Sequence, residues 1–244
     1  MARDLSGGTA IVMGASSGMG AAIAATLARE SMHVVAAARR AARLDALVAK
    51  ITQSGGSALA SPTDATDRTA VGRLVERTLE RFGRIDLLVY ATGTNIPDRS
   101  LERLLPETWD RMLATNLSGA FHCTQLVVPA MREQGEGLII YISTAAVGMP
   151  DVSGVSYQAS KHALSGLAFG TGVEEKTHGV RTCVIFPGLT DTPLLEQRPV
   201  PTPAEVLREA LQPEDVAEAV VFVAKLNPRA AVPQLWLLPS RIES

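Results

Sequence analysis

Three side chains between Ser143 and Lys161 have the chemistry to move a proton at an alcohol or ketone oxygen: the Ser143 hydroxyl, the Tyr157 phenol and the Lys161 ammonium. Tyr157 and Lys161 stand at i and i+4, on one face of a helix. Ser143 closes the apolar run Leu138 to Ile142, which reads as a strand. A phenol ionises near ~10, so holding it charged near neutral pH takes ~4 kcal/mol. A cation ~4 Å away supplies roughly that much at an effective dielectric of ~20, and Lys161 is placed to be that cation. Alone, the pair reads more readily as a half-buried aromatic beside a solvated charge.

A second element points the same way. Thr9 to Met13 is a short apolar run, followed by Gly14, Ser16, Ser17, Gly18, Met19 and Gly20, and then by the Ala-rich stretch Ala21 to Arg29. Strand, glycine turn and helix form a phosphate cradle: backbone approaches the ligand closely and the helix start offers free N–H groups. The spacing G-x-x-x-G-x-G departs from the commoner G-x-G-x-x-G.

These glycines, with Asn116, Ser143, Tyr157, Lys161 and the pair Pro187-Gly188, occur in one order and spacing. In that set the chain resembles the short-chain dehydrogenase/reductase family from Thr9 to about Pro239. The resemblance implies a dinucleotide cofactor, Tyr157 as general acid/base, Ser143 bonded to the substrate oxygen, and Lys161 lowering the phenol pKa and holding the ribose. It also implies that Asn116 anchors a water on the proton path. Asp64 and Ala65 would lie at the adenine, and Ala91 and Gly93 along the cofactor. Pro187, Gly188, Leu189 and Thr192 would wrap the nicotinamide. Asp86 would order the fourth strand.

The second strand ends in Ala36 to Ala38 and runs into Arg39 and Arg40, with no acid to hold a ribose hydroxyl. A guanidinium suits a 2′-phosphate, so the expected cofactor is NADP(H), with Arg39 as main contact and Arg40 or Arg43 as second. Ser17 adds no support to that choice. Tyr90-Ala91-Thr92-Gly93 stands where the family usually has Asn-Asn-Ala-Gly, and Met13 replaces a Thr; these put cofactor affinity and local rigidity in question.

The elements that must position these groups alternate. Strands are expected near 9–13, 33–38, 57–61, 86–90, 138–142, 180–186 and 234–238, with helices at about 18–30, 41–53, 67–81, 107–133, 155–177 and 213–225. That order predicts a Rossmann-type doubly wound parallel α/β sheet in a single domain, 1–244, with helices on both faces. A helix N-cap falls at Thr66 or Asp67, and Asn116 marks a backbone irregularity in a long helix. Residues 193–212, with four prolines, read as a substrate lid. Leu194 and Leu195 would line its pocket, and Arg198 reads more readily as a solvated loop charge than as a carboxylate clamp. Ala145, Ala146, Val147 and Met149 suggest a moderately apolar substrate.

A 46% apolar composition supports a large core, and a net charge of −2 gives no general attraction to nucleic acid. No run is long enough to span a membrane and the start lacks an apolar signal core, so a cytoplasmic protein is expected. Cys123 and Cys183 read as core thiols, and no metal site is expected. Gly154, Gly166, Gly170 and Gly172, with Ala159, Ala163 and Ala168, suggest a helix packed against a second subunit in a homodimer or homotetramer. The resulting expectation is an NADP(H)-dependent oxidoreductase interconverting an alcohol and a ketone or aldehyde. The rival is a nucleotide-binding sensor or scaffold without turnover.

Overall fold

A computed structural model describes residues 3–242. Met1 and Ala2, part of the start read above for an export signal, lie outside them. Seven strands, β1 (Thr9–Met13), β2 (His33–Ala38), β3 (Ser57–Pro62), β4 (Leu87–Tyr90), β5 (Gly137–Ile142), β6 (Val180–Pro187) and β7 (Gln234–Leu237), form one sheet. Their order is β3-β2-β1-β4-β5-β6-β7 and every pairing is parallel. The order reverses between β1 and β4, which opens a crevice beyond their carboxyl ends.

The helices are α1 (Gly18–Arg29), α2 (Ala41–Gln53), α3 (Arg68–Phe82), α4 (Pro106–Leu113), α5 (Gly119–Gln134), α6 (Val155–Glu174), α7 (Ala204–Glu209) and α8 (Pro213–Ala224). Alternation along β1 splits the core. Ala10 and Val12 join residues of α1, α2 and α8 on one face, whereas Ile11 and Met13 join those of α3, α5 and α6 on the other. Strands β1 and β5 are buried throughout, as a sheet covered on both faces requires. Cys123 and Cys183 are buried and unpaired. Among the described residues, no helix is long and apolar enough to cross a membrane and no cluster of His, Cys, Asp or Glu could hold a metal.

Local chemistry sets the element ends. Asp67 is the α3 N-cap, its carboxylate accepting from the Thr69 and Ala70 amides. The Asp64 carboxylate instead accepts from the Thr66 amide and hydroxyl. Asp86 accepts from the Thr9 amide at 2.8 Å, tying β4 to the start of β1. Pro106 and Pro213 open α4 and α8, where a missing N–H costs nothing. The lid segment holds more order than its prolines suggested: a 3-10 turn at Pro193–Gln197, then α7.

The long helical stretch expected over 107–133 is broken by a π-turn at Ala114–Ser118, with Asn116 at its centre. Tyr90, the departure from the family pattern, meets this turn: its fully buried phenol donates to the Thr115 carbonyl at 2.6 Å. Gly119 makes the room, because a Cβ there would stand 2.5 Å from the Tyr90 oxygen. Tyr90→Phe leaves that carbonyl without its partner and should destabilise the fold by roughly 1–3 kcal/mol in urea unfolding. A change under a few tenths would show that the bond does not hold the turn.

Candidate active site

Tyr157 sits in the first turn of α6 and Lys161 one turn later, both buried. The Lys161 Nζ donates to the Ile142 carbonyl at 2.9 Å, at the last residue of β5. In return, the Ser143 Oγ donates to the Lys161 carbonyl at 3.1 Å. Two bonds thus stitch the end of β5 to α6 and bring Ser143, Tyr157 and Lys161 together as the spacing predicted.

Asn116 is fully buried and its amide is committed to the protein. Its Oδ1 accepts from the Thr94 amide at 2.8 Å, while its Nδ2 donates to the Thr94 carbonyl at 3.1 Å and the Ser160 Oγ at 3.0 Å. The side chain staples the segment after β4 to α6, behind Lys161, and Nδ2 keeps no donor for a water.

Burial sets the proton affinities. It pushes the Tyr157 phenol up to about 12, with Asp151 adding to the rise and Arg99, the Thr144 hydroxyl and Arg198 opposing it. It pulls the Lys161 ammonium down to about 8. The expectation that Lys161 lowers the phenol pKa is therefore not met by the chain alone. The ammonium is turned to a carbonyl, 5.9 Å from the phenol ring centre, and is not among the groups that shift the phenol.

A cleft runs along the carboxyl ends of the strands. Gly14, Ser16, Ser17, Gly18, Met19, Gly20, Arg39, Arg40, Asp64, Ala65, Ala91, Gly93, Ser143, Tyr157, Lys161 and Thr192 all line it. A second cavity of about 620 Å³ shares Met19, Ser143, Tyr157, Thr192 and Leu194 with the cleft. Pro187, Gly188 and Leu189 line this second cavity, not the cleft. So do Ala145, Ala146, Met149, Leu195 and Arg198, whereas Val147 packs into the core beside α5 and α6.

The cleft's donor set fits a dinucleotide. Gly14 has φ +96, and a Cβ on Gly20 would meet the Gly14 carbonyl oxygen, so the turn closes only on glycine. The first turn of α1 carries no acid, which leaves its N–H groups facing the cleft without a competing charge. Arg40 lies over this turn: its Nη2 donates to the Ser16 and Ser17 hydroxyls at 2.7 Å each. The sequence ranked Arg39 first, yet Arg40 is the fixed guanidinium, and Arg43 does not line the cleft.

Sequence reading missed Thr144, Arg99 and Ser160. Thr144, beside Ser143, lines the cavity and stands at the phenol. Its adjacency to Ser143 was the available signal. Arg99 had none, because the loop after β4 carries no periodicity.

The family described as short chain dehydrogenase matches residues 8–200. The chain is 33% identical over 96% of its length to the glycine betaine reductase of Emericella nidulans, of which it spans only 19%. A metagenomic short-chain oxidoreductase solved in complex with NADP superposes with a TM-score of 0.85 at 30% identity, over 98% of this chain and 100% of that one. A reductase of 3-ketoacyl-(acyl-carrier-protein) from Brucella melitensis, solved with NADH, gives 0.88 at 26% identity, over 97% and 99%.

Lys161 binds its proton more weakly folded than unfolded, so its contribution to stability is present above its unfolded pKa of 10.5 and lost as pH falls through about 8. Between roughly pH 8 and 9.5 wild-type stability should therefore rise relative to Lys161→Met by on the order of 1–2 kcal/mol. Parallel urea curves for the two proteins across that window would contradict a depressed Lys161.

Proposed function

Because the chain belongs to the short-chain dehydrogenase/reductase family, we propose that it is an NADP(H)-dependent oxidoreductase interconverting an alcohol and a ketone or aldehyde. The observation that carries this reading is the junction of cleft and cavity at Tyr157 and Ser143. There a buried phenol faces both the nucleotide groove and a substrate-sized space. Bound there, a nicotinamide supplies hydride to a carbonyl carbon or takes it from an alcohol carbon.

The chain's own part is binding, orientation and proton transfer. The Tyr157 phenol, neutral at physiological pH as any phenol is and held more firmly so by burial, donates a proton to the substrate oxygen as negative charge develops there. Ser143 rotates from the Lys161 carbonyl to donate to the same oxygen. Lys161 holds the ribose, and Asn116 positions Lys161 and Ser160. Gly14 to Gly20 and the start of α1 take the pyrophosphate, with Asp64, Ala65, Ala91 and Gly93 along the adenosine. Arg40, preset by Ser16 and Ser17, takes the 2′-phosphate, with Arg39 as second contact; solved relatives hold both NADP and NADH, so this choice rests on the arginines. Thr192 and Leu189 border the nicotinamide end, and 193–212 covers the cavity as a lid.

Assembly is part of the proposal. Phe121 on α5 and Phe169 and Val173 on α6 are exposed, and Gly166 and Gly170 face open space, so a second copy can approach. Gly172 has a different reason: a Cβ there would meet the Thr182 hydroxyl of the same chain. Light scattering should give a dimer or tetramer, and a monomer at micromolar concentration would overturn this part.

NADPH oxidation in the presence of ketones tests the activity. Tyr157→Phe should lower kcat by roughly a hundredfold or more while keeping NADPH fluorescence titration near wild type. Full turnover by that variant would exclude Tyr157 as the acid and favour another donor. Arg40→Ala should weaken NADPH binding by about tenfold or more and leave NADH little changed; equal loss for both would overturn the 2′-phosphate assignment.

A further inference from the structure

The substrate cavity carries an unbalanced charge. Its lining includes two guanidiniums, Arg99 and Arg198, and one carboxylate, Asp151. Arg99 is held by three neutral carbonyls from three segments: Nε donates to Ile96 at 2.8 Å, Nη1 to Val152 at 3.4 Å and Nη2 to Gln197 at 3.0 Å. Arg198 follows Gln197 directly, and its only side-chain bond among the described residues runs from Nη1 to the Thr202 hydroxyl at 3.1 Å. Neither guanidinium is ion-paired among the described residues. Asp151 spends an oxygen on the Ser153 amide within its own turn.

Two like charges bordering one partly enclosed space repel, and Arg99 feels the field of Arg198. The remaining walls, such as Met149, Leu189, Leu194 and Leu195, offer no counter-charge. A ligand anion would relieve the repulsion and take the free Arg198 donors in charge-assisted bonds. With two cations and one anion, the cavity balances a single negative charge, which suits a carboxylate better than a dianionic phosphate.

We propose that Arg99 and Arg198 bind a carboxylate of the substrate, so that the protein acts on oxo acids or hydroxy acids whose reacting oxygen lies at Tyr157. This rests on the oxidoreductase reading above. Arg99 is the member tied by three carbonyls, and Arg198 the one with free donors, carried on the segment 193–212.

The test uses levulinate, the same acid lengthened by one and by two methylenes, and the methyl ester of each, with NADPH. The carboxyl is remote from the ketone, so acid and ester differ in charge and little in carbonyl reactivity. For the best-fitting length, kcat/KM should favour acid over ester by roughly tenfold or more. Arg198→Gln should bring that ratio near one and Arg198→Lys should keep part of it. Arg99→Lys should keep part as well, a check that avoids emptying a position that ties three segments. Thermal shift of the NADP-loaded protein by each acid, absent with its ester and lost in Arg198→Gln, reads the site without turnover. Ketone reduction with no acid preference, or a preference untouched by Arg198→Gln, overturns the carboxylate site and leaves the oxidoreductase reading standing. Acid-specific thermal shifts without reduction of any ketone sink the oxidoreductase reading and keep the site. Neither shift nor turnover overturns both.

Discussion

An ammonium buried without compensation costs several kcal/mol, and the position of Lys161 under the cleft is tolerated because its Nζ has the Ile142 carbonyl to donate to. That carbonyl is available because β5 ends at Ile142, where the strand ladder stops using it. The Ser143 hydroxyl answers with a bond to the Lys161 carbonyl. With both bonds made, the end of β5 and the first two turns of α6 are held together. The phenol one turn before Lys161 is then directed to the place where cleft and cavity meet. Everything else in the site is arranged around this pair of bonds.

The outer support is a second set of polar ties across α4, α5 and the loop after β4. Asn116 needs a π-turn to bring its amide to both Thr94 and Ser160. A π-turn leaves the regular ladder, so its carbonyls need other partners. Tyr90 supplies one for Thr115. The aromatic that replaces an amide in the family pattern thus supports the same region from below, through a longer reach. The departure thus leaves a filled and bonded region beneath the cleft.

Much of this was legible in the sequence, for physical reasons that differ by element. Strands such as Cys183 to Phe186 are continuously apolar because both faces are covered, and their bounds could be read to within a residue or so. Asn116 betrayed an irregularity because an amide inside a helix is out of place. The Tyr157 and Lys161 spacing fixed a shared face, yet spacing carries no desolvation, so the rise of the phenol and the fall of the ammonium were invisible. Arg39 and Arg40 looked alike in a run; only the fold shows which one reaches Ser16 and Ser17. Val147 failed as a pocket residue because a 3-10 turn at Ala145–Val147 directs it to the core. Short α7 escaped notice because six residues cannot display a period.

The electrostatics of the cavity bear on the direction of proton transfer. Arg99 and Arg198 both oppose the burial that raises the Tyr157 pKa. A carboxylate held between them cancels part of their field, so the phenol keeps its proton more firmly with such a substrate bound than without it. The nearby Lys161, already inclined to lose its proton as pH rises past about 8, does little to counter this. A site so arranged keeps its phenol in the protonated form when the right anion is present, which is the form that reduction of a carbonyl requires, while the raised pKa makes that phenol a weaker acid. Oxidation of the alcohol runs against the same field and gains as pH rises, because the phenol must then give up its proton before it can accept one.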